Sequence, residues 1–515
     1  MPPVKEVVTV HVGQAGCQVG LQVWELMCEE HGIQPDGTRD EIHGEAAPDD
    51  PLSTFFAETA AGQHVPRSVF VDTDPATRVD VLNASHGKLF HPDNILAYKQ
   101  DCRSNFFEGR SASNQFKIKE SVMDAVRKEV DKCQSLQGFF LFHSFGGGTG
   151  TGLGVEVLDT LRDQFSKKVI MQPLVYPSQD YVSSVVEPYN CLFAQAYTRE
   201  NIDLAMVLDN QAAYRMCREN LKVKHPTFLH LNRIIAQMVS AATTSLRFPT
   251  QLNATLDEVV TNMVPEVKFR YPILSLSPVR HPTRAKHENF TTREIITDLF
   301  EEKNLLADIG HGRLKQNRYL ACSVLMRGFQ RVKREQLMQD HITDVIGDGS
   351  EDAEGYIHLA IQPLECTRAI NELMNPSGGH REPLKFLPWL GHGGFKIGAV
   401  AEPPHVPEGF MAKSDRQGAL LANTTAVRTL FMRSYSKFLK LFYHKAYVWQ
   451  FLEANGELEM FFEAQEKMRE LIADYEDILY RTCEQERVTD NHLTLVGARA
   501  QPAGGNVEQA GGGGA

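Results

Sequence analysis

No run of eighteen apolar residues occurs in this 515-residue chain, and its opening Met1-Pro2-Pro3-Val4-Lys5-Glu6-Val7-Val8 lacks the apolar core of a signal peptide. A soluble, cytoplasmic chain with no membrane insertion is expected. The nine cysteines form no CxxC pair and have no histidine at zinc spacing, which argues against a zinc module and for free thiols in a reducing compartment. Basic residues are outnumbered, 53 Lys and Arg against 65 Asp and Glu, for a net charge of −12. A general nucleic-acid binder needs the opposite balance, so no nucleic-acid partner is expected. Two phosphate motifs are missing as well. No lysine follows the glycines at Gly146–Gly154, which removes GxxxxGK[ST], and GxGxxG fits no frame through them. A free-standing P-loop GTPase and a nicotinamide or flavin enzyme are thereby disfavoured.

What is present is enough apolar sequence, 42% of residues, to bury more than one core in two or three domains. Val7–Val12 reads as a strand running into Gly13-Gln14-Ala15-Gly16, with a helix over Val19–Glu30. Thr38–Gln63, rich in Gly, Asp, Ala and Pro, reads as a mobile loop. Arg67–Asp72, Leu136–Phe145, Val169–Tyr176 and Ile202–Asp209 read as further strands. Val157, Leu158, Leu161 and Phe165 share one face at helical spacing between two of them. This alternation predicts an α/β fold on a mostly parallel, doubly wound sheet, whose ligands bind beyond the carboxyl ends of the strands. A long helix around Leu229–Thr243 leads to a second α/β domain, ending near Pro403. Two helical patterns fill Asn423–Ile478, and Arg499–Ala515 is Gly- and Ala-rich and expected to be disordered.

The sharpest feature is Phe145-Gly146-Gly147-Gly148-Thr149-Gly150-Thr151-Gly152, which follows a strand and opens a helix. Glycines let the backbone approach an anion closely, and the free N–H groups of a helix start point toward it. A glycine-rich turn without a ligand is the competing reading. The string GGGTGTG resembles the signature of the tubulin family, GGGTGSG in most members. The likeness continues through Gly13-Gln14-Ala15-Gly16-Cys17-Gln18, Phe70–Pro75, Val185–Asn190, Asp209-Asn210 and Leu231-Asn232-Arg233, over about residues 5 to 478.

The resemblance implies GTP and Mg2+ as cofactors. It implies a GTP-binding domain over residues 1–247 and an intermediate domain over 248–405, with an insertion near 341–375. C-terminal helices over 406–480 and a disordered tail over 481–515 complete the implied layout. Gly147, Gly148, Thr149 and Gly150, with Ser144 and Gly146, would cradle the phosphates. Gln14, Ala15, Cys17 and Gln18 would border the phosphates and base, and Asp72 and Asp74 would form the magnesium-facing loop, Asp74 holding the metal through water. Ser104 would stand in the γ-phosphate loop in place of the usual asparagine. Val182, Ser183 and Glu187 would contact the sugar, Asn210 and Asn232 would read guanine by side-chain amides, and Phe228 would stack on the base in place of a tyrosine.

The same resemblance implies a catalytic role for Glu258, in a segment that faces the next subunit's nucleotide, where α-type chains carry a water-orienting glutamate. Thr255 replaces a second acid usual three residues earlier, and Asp257 points about 100° away on a helix. His31–Gly37, Thr54–Thr59 and the long loop between Pro404 and Asn423 are similar to α-type chains. Three features depart from them. No lysine lies between Gly37 and Gln63, Arg280–His287 is unusually basic, and the tail sets Arg481, Arg487 and Arg499 against only Glu484, Glu486, Asp490 and Glu508. The implied partner is a β-like tubulin in a longitudinal heterodimer or filament, with centriolar or microtubule-associated proteins beside it. The departures resemble the minor tubulins of centrioles and basal bodies, the ζ type among them. An ordinary lattice α-tubulin and a nucleotide-binding scaffold without hydrolysis are the alternatives. His341 and His358 in the insertion have no ligand partners at metal spacing.

Overall fold

Strand β1, Glu6–Val12, is buried at all seven positions, as expected of a strand covered on both faces. Val8, Val10 and Val12 enter one large core, while Val7 enters a second with Trp24 and Met27. The computed structural model describes residues 5–499 apart from 41–50, 101, 251, 253–254, 286–289, 311–315, 334–354, 377–382, 390–393, 408 and 410.

Around β1 a parallel run forms from β4 (Ser68–Asp72), β5 (Ile95–Ala97), β6 (Leu136–Ser144), β7 (Val169–Tyr176) and β8 (Leu204–Asp209), in the order β5-β4-β1-β6-β7-β8. The sheet continues without a break. Val207 pairs with Ile273 of β9 (Ile273–Ser277), which lies antiparallel to β13 (Arg416–Thr424). β13 in turn pairs with β10 (Tyr319–Lys333), giving eleven strands in one sheet with β11 (Tyr356–Ala360) and β12 (Phe395–Val400) flanking β10. The expected α/β architecture with a mostly parallel first half is present.

Four expectations need adjustment. The first helix begins at Gly13, not near Val19, because Gly13 takes φ +74° and turns β1 directly into Gly13–Glu30. Thr38–Gln63 is packed in part: Leu52 and Thr54–Phe56 are buried, while Ala60–Gln63 are exposed. Phe56–Glu58 (β2) pairs with His64–Pro66 (β3), and Leu52, Phe55 and Phe56 are buried with Trp24. Aromatic burial outweighs the loop-like composition there; residues 41–50 lie outside the described residues. The expected insertion at 341–375 is drawn too long. Helix Pro363–Met374 buries Cys366, Ala369, Ile370 and Leu373 in the main core, and β11 pairs with the end of β10 over a small cluster of Val332, Ile357 and Leu359. His341 falls outside the described residues, and His358 stacks on Phe329 at 4.0 Å. Finally, helix Leu458–Arg499 runs past residue 481, where the tail is expected to begin.

The two halves of the sheet are tied by a buried ion cluster. Glu30, in the first helix, binds Arg247 at 2.7 Å and Arg327 of β10 at 2.6 Å, and accepts a bond from Ser240 at 2.7 Å. Burial alone would push this carboxyl up, but the two guanidiniums and the hydroxyl overcome it and hold it at about 2, against an ordinary 4.5. A carboxylate with a depressed folded pKa stabilises the fold above its unfolded value, and that contribution is lost as pH falls through the folded value. Between about pH 4.5 and 2 the protein is therefore expected to lose about 3 kcal/mol from this group alone. Denaturant unfolding across that window measures it. Glu30→Gln should flatten the slope; an unchanged slope would refute the assignment.

Candidate nucleotide site

The carboxyl ends of all six parallel strands open into one cavity of about 730 Å3. Each strand delivers its own wall. β1 leads into Gly13, Gln14, Ala15 and Gln18, β4 ends at Asp72 and continues to Asp74, and beyond β5 lie Lys99, Cys102 and Ser104. Ser144 and Gly146–Gly150 follow β6, Ser178, Tyr181, Ser183 and Glu187 follow β7, and Asn210 follows β8. Phe228 and Asn232, one turn apart on helix Phe228–Ala242, complete the lining.

The glycine turn is held from below and from both sides. Buried His143 on β6 lies 2.7 Å from the Gly150 carbonyl through Nδ1, and Gln172 meets its other nitrogen. Burial pushes His143 down to about 4, so the ring is neutral at physiological pH, with Nδ1–H donating to Gly150 and Nε2 accepting from Gln172. Thr151 Oγ1 donates to the Gly147 carbonyl at 2.5 Å, and the hydroxyls of Thr73 and Thr149 meet at 2.7 Å. A Cβ on Gly13 would lie 3.0 Å from the Gly150 amide, so the first turn of the first helix rests on the glycine turn itself. The carbonyls of Gly146, Gly147, Gly148 and Gly150 are thus taken up internally, which fixes the turn against the cavity it lines.

The acids differ in what they have left to offer. Asp72 is buried, accepts from Thr77 Oγ1 at 2.5 Å and Thr73 N at 2.7 Å, and burial raises its pKa against those bonds. Asp74, two residues on, is exposed and accepts only from Ala76 N among the bonds described, at 2.9 Å. No group of three or more His, Cys, Asp or Glu among the described residues could hold a metal ion. That donor set still suits magnesium, which takes one or two carboxylates together with phosphate oxygens and water. Glu187 starts helix Glu187–Thr198, and its Oε1 accepts from Ser183 N at 3.0 Å and Ser183 Oγ at 2.6 Å. Those bonds pin the Ser183 loop to the cavity wall.

Two sequence-predicted site residues do not line the cavity. Cys17 is fully buried, with its thiol on the carbonyls of His11 and Val71 under the first helix, and Val182, 48% exposed, is not part of the cavity lining. Its neighbour Tyr181 lines the wall instead, stacked on Tyr214 at 4.2 Å. Sequence reading also missed Lys99, Gln100, Cys102 and Thr73. Thr73 was legible as the middle of an Asp-Thr-Asp triplet. Lys99 carries no motif of its own, and its position follows only from Tyr98 N and Gln100 N bonding the carbonyls of Asp72 and Thr73.

Glu258 lies elsewhere. It is exposed on helix Leu256–Met263, whose start is fixed by Leu256 N on Gln137 Oε1 at 2.9 Å. Gln137 is at the amino end of β6 and Ser144 is at the cavity end. Seven residue steps along the extended strand separate them, roughly 20 Å. Glu258 therefore cannot act on a ligand in its own chain's cavity.

Residues 6–218 match the Tubulin/FtsZ family, GTPase domain. The tubulin alpha chain of Sordaria macrospora and the tubulin alpha-B chain of Neurospora crassa are each 36% identical over 487 residues, covering 94% of this chain and 99% of theirs. The tubulin alpha-1 chain of Emericella nidulans is 36% identical over 483 residues, covering 94% and 98%. With the sheet, the glycine turn and end-to-end likeness in agreement, this chain belongs to the tubulin family, as a divergent α-tubulin-like member.

Proposed function

We propose that this GTP-binding, tubulin-family cytoskeletal chain holds magnesium–GTP in the strand-end cavity and pairs longitudinally with a β-like tubulin, to whose nucleotide it presents Glu258. One observation carries the proposal: six strand ends converge on one cavity that the glycine turn Gly146–Gly150 lines. In this reading Gly147–Gly150 and Ser144 take the phosphates, Asp74 the magnesium, Glu187 the ribose, and Asn210 and Asn232 the guanine, under Phe228. The metal would neutralise phosphate charge; the chain's own residues bind and orient the nucleotide.

The departures in sequence support a specialised centriolar, basal-body or ciliary subunit. They are the lysine-free segment, the basic Arg280–His287 loop and the weakly acidic tail. End-to-end likeness to α chains supports the second reading, an ordinary lattice isotype. Tagged protein confined to basal bodies favours the first, and incorporation along cytoplasmic microtubules favours the second.

Freshly isolated protein in magnesium is expected to release a stoichiometric guanine nucleotide on denaturation, as read by chromatography of the extract. Chelating the metal should lower that content. An empty protein indifferent to added GTP would overturn the proposal, and one that binds GTP but leaves a β-like partner's turnover unchanged would reduce it to a scaffold.

A further inference from the structure

Asn190 lies one turn into helix Glu187–Thr198, is fully buried, and has every side-chain hydrogen-bonding group engaged on two different loops. Its amide donates to the Ser104 carbonyl at 2.6 Å and to the Gly146 carbonyl at 2.9 Å, and its Oδ1 accepts from Phe106 N at 3.0 Å. One side chain thus fastens the glycine turn to the Ser104 loop. The adjacent Asn105 faces the other way. Its Oδ1 caps helix Phe106–Gln115 through Phe107 N at 2.9 Å, while its amide donates to the Gln450 carbonyl at 3.0 Å. Gln450 belongs to helix Val448–Glu453, which also carries Trp449 and Leu452, exposed at 56% and 40%. Tyr189, next to Asn190, holds the turn before that helix by donating to the Ala446 carbonyl at 2.7 Å.

Backbone conformation marks the same route. Arg103, Ser104, Lys445 and Tyr447 all have positive φ, 43°, 53°, 52° and 58°, although none is glycine. Such conformations cost energy and persist where surrounding contacts dictate them, often in segments that switch. Here they lie at the two ends of one chain of bonds. One end is at the cavity wall and the other at an exposed apolar helix.

Resting on the reading that a guanine nucleotide fills the cavity, we propose that Asn190 and Asn105 are positioning residues of a relay that reports the terminal phosphate to the 445–452 turn and helix. Ser104 lines the cavity, so its position responds to what occupies the phosphate end. Asn190 fixes that response to the glycine turn, and Asn105 passes it to Gln450. A ligand shifts such an equilibrium only through differential contacts with the two states, and a terminal phosphate beside Ser104 supplies that difference.

The test is hydrogen exchange over residues 443–453 in the full chain, loaded with GTP or with GDP in magnesium. Wild type is expected to show a several-fold difference in exchange between the two loadings. Asn105→Ser keeps an oxygen to cap its helix and loses the reach to Gln450. It should abolish the difference while melting temperature and GDP binding hold. Asn190→Ala should lower the preference for GTP over GDP about tenfold, a split that general loosening of the fold does not produce. If that variant does not fold, the Asn105→Ser comparison decides alone. Wild type binding both nucleotides with equal exchange, or Asn105→Ser retaining the difference, overturns the relay and leaves the cavity assignment standing. Wild type binding neither nucleotide removes both.

Discussion

Gly148→Ala is expected to empty the cavity, lowering guanine-nucleotide affinity roughly 1000-fold. A Cβ built on Gly148 lies 2.6 Å from the Asn105 amide, 2.7 Å from the Asn105 carbonyl oxygen and 3.0 Å from the Cys102 carbonyl oxygen. All three obstacles are backbone, so no flexible side chain can yield. Asn190 ties the opposing loop to the glycine turn, so the two cannot part freely and the clash distorts the turn where the phosphates would rest. Charge-assisted hydrogen bonds contribute about 1.5–3 kcal/mol each, and misdirecting two of the turn's amides costs about 4 kcal/mol, which is the predicted loss in affinity. Thr151→Ser is the control, since it keeps the oxygen that binds the Gly147 and Gly148 carbonyls and should retain nucleotide. Equilibrium binding of GTP, with melting curves to confirm folding, reads both. Full occupancy in Gly148→Ala would mean that the phosphates rest somewhere other than this turn.

The glycine turn was legible in the sequence because a strand, a glycine run and a helix adjoin within twenty residues, and local order is what sequence displays. Asn232 and Phe228 were legible only through the family resemblance; the local pattern showed a helix there, and the structure places them one turn apart on it. Misreadings arose where tertiary packing overrides composition. Phe55 and Phe56 draw a Gly- and Pro-rich segment into the core beside Trp24, and Cys366 with Ile370 draws in a helix assigned to an insertion. Cys17 and Val182 show a finer limit. Each lies in a segment that reaches the cavity, but whether one side chain lines it depends on where the helix or loop begins. Gly13 starts its helix several residues early and turns Cys17 under the sheet. Nothing local announces the Glu30–Arg247–Arg327 cluster or the Asn105–Gln450 bond, whose members lie hundreds of positions apart.

Glu258→Ala should leave this chain's own nucleotide in place and slow hydrolysis in a β-like partner by roughly 100-fold, the lower end of what a positioned general acid or base contributes. The first half follows from position. Glu258 lies at the amino end of β6 while the cavity opens at the carboxyl end, so truncating it touches no cavity wall. The second half follows from what the neighbouring residues already do. Thr255, where the family resemblance leads one to expect a second acid, accepts from Glu258 N at 3.1 Å and caps helix Leu256–Met263. It is engaged in starting the helix and supplies no carboxylate. Asp257 projects about 100° from Glu258 and cannot reach the same water. Asp257→Ala should therefore leave partner turnover within about twofold, and the contrast between the two alanines separates a specific carboxylate from net surface charge. Thr255→Glu is informative in the opposite direction, because a second acid on the Glu258 face should speed partner hydrolysis if the face meets the partner's nucleotide. Phosphate release from a β-like partner mixed with each variant measures all three. Lost occupancy in Glu258→Ala with unchanged partner turnover would place its role inside this chain, and the longitudinal pairing proposed for the surface around it would fall with that result.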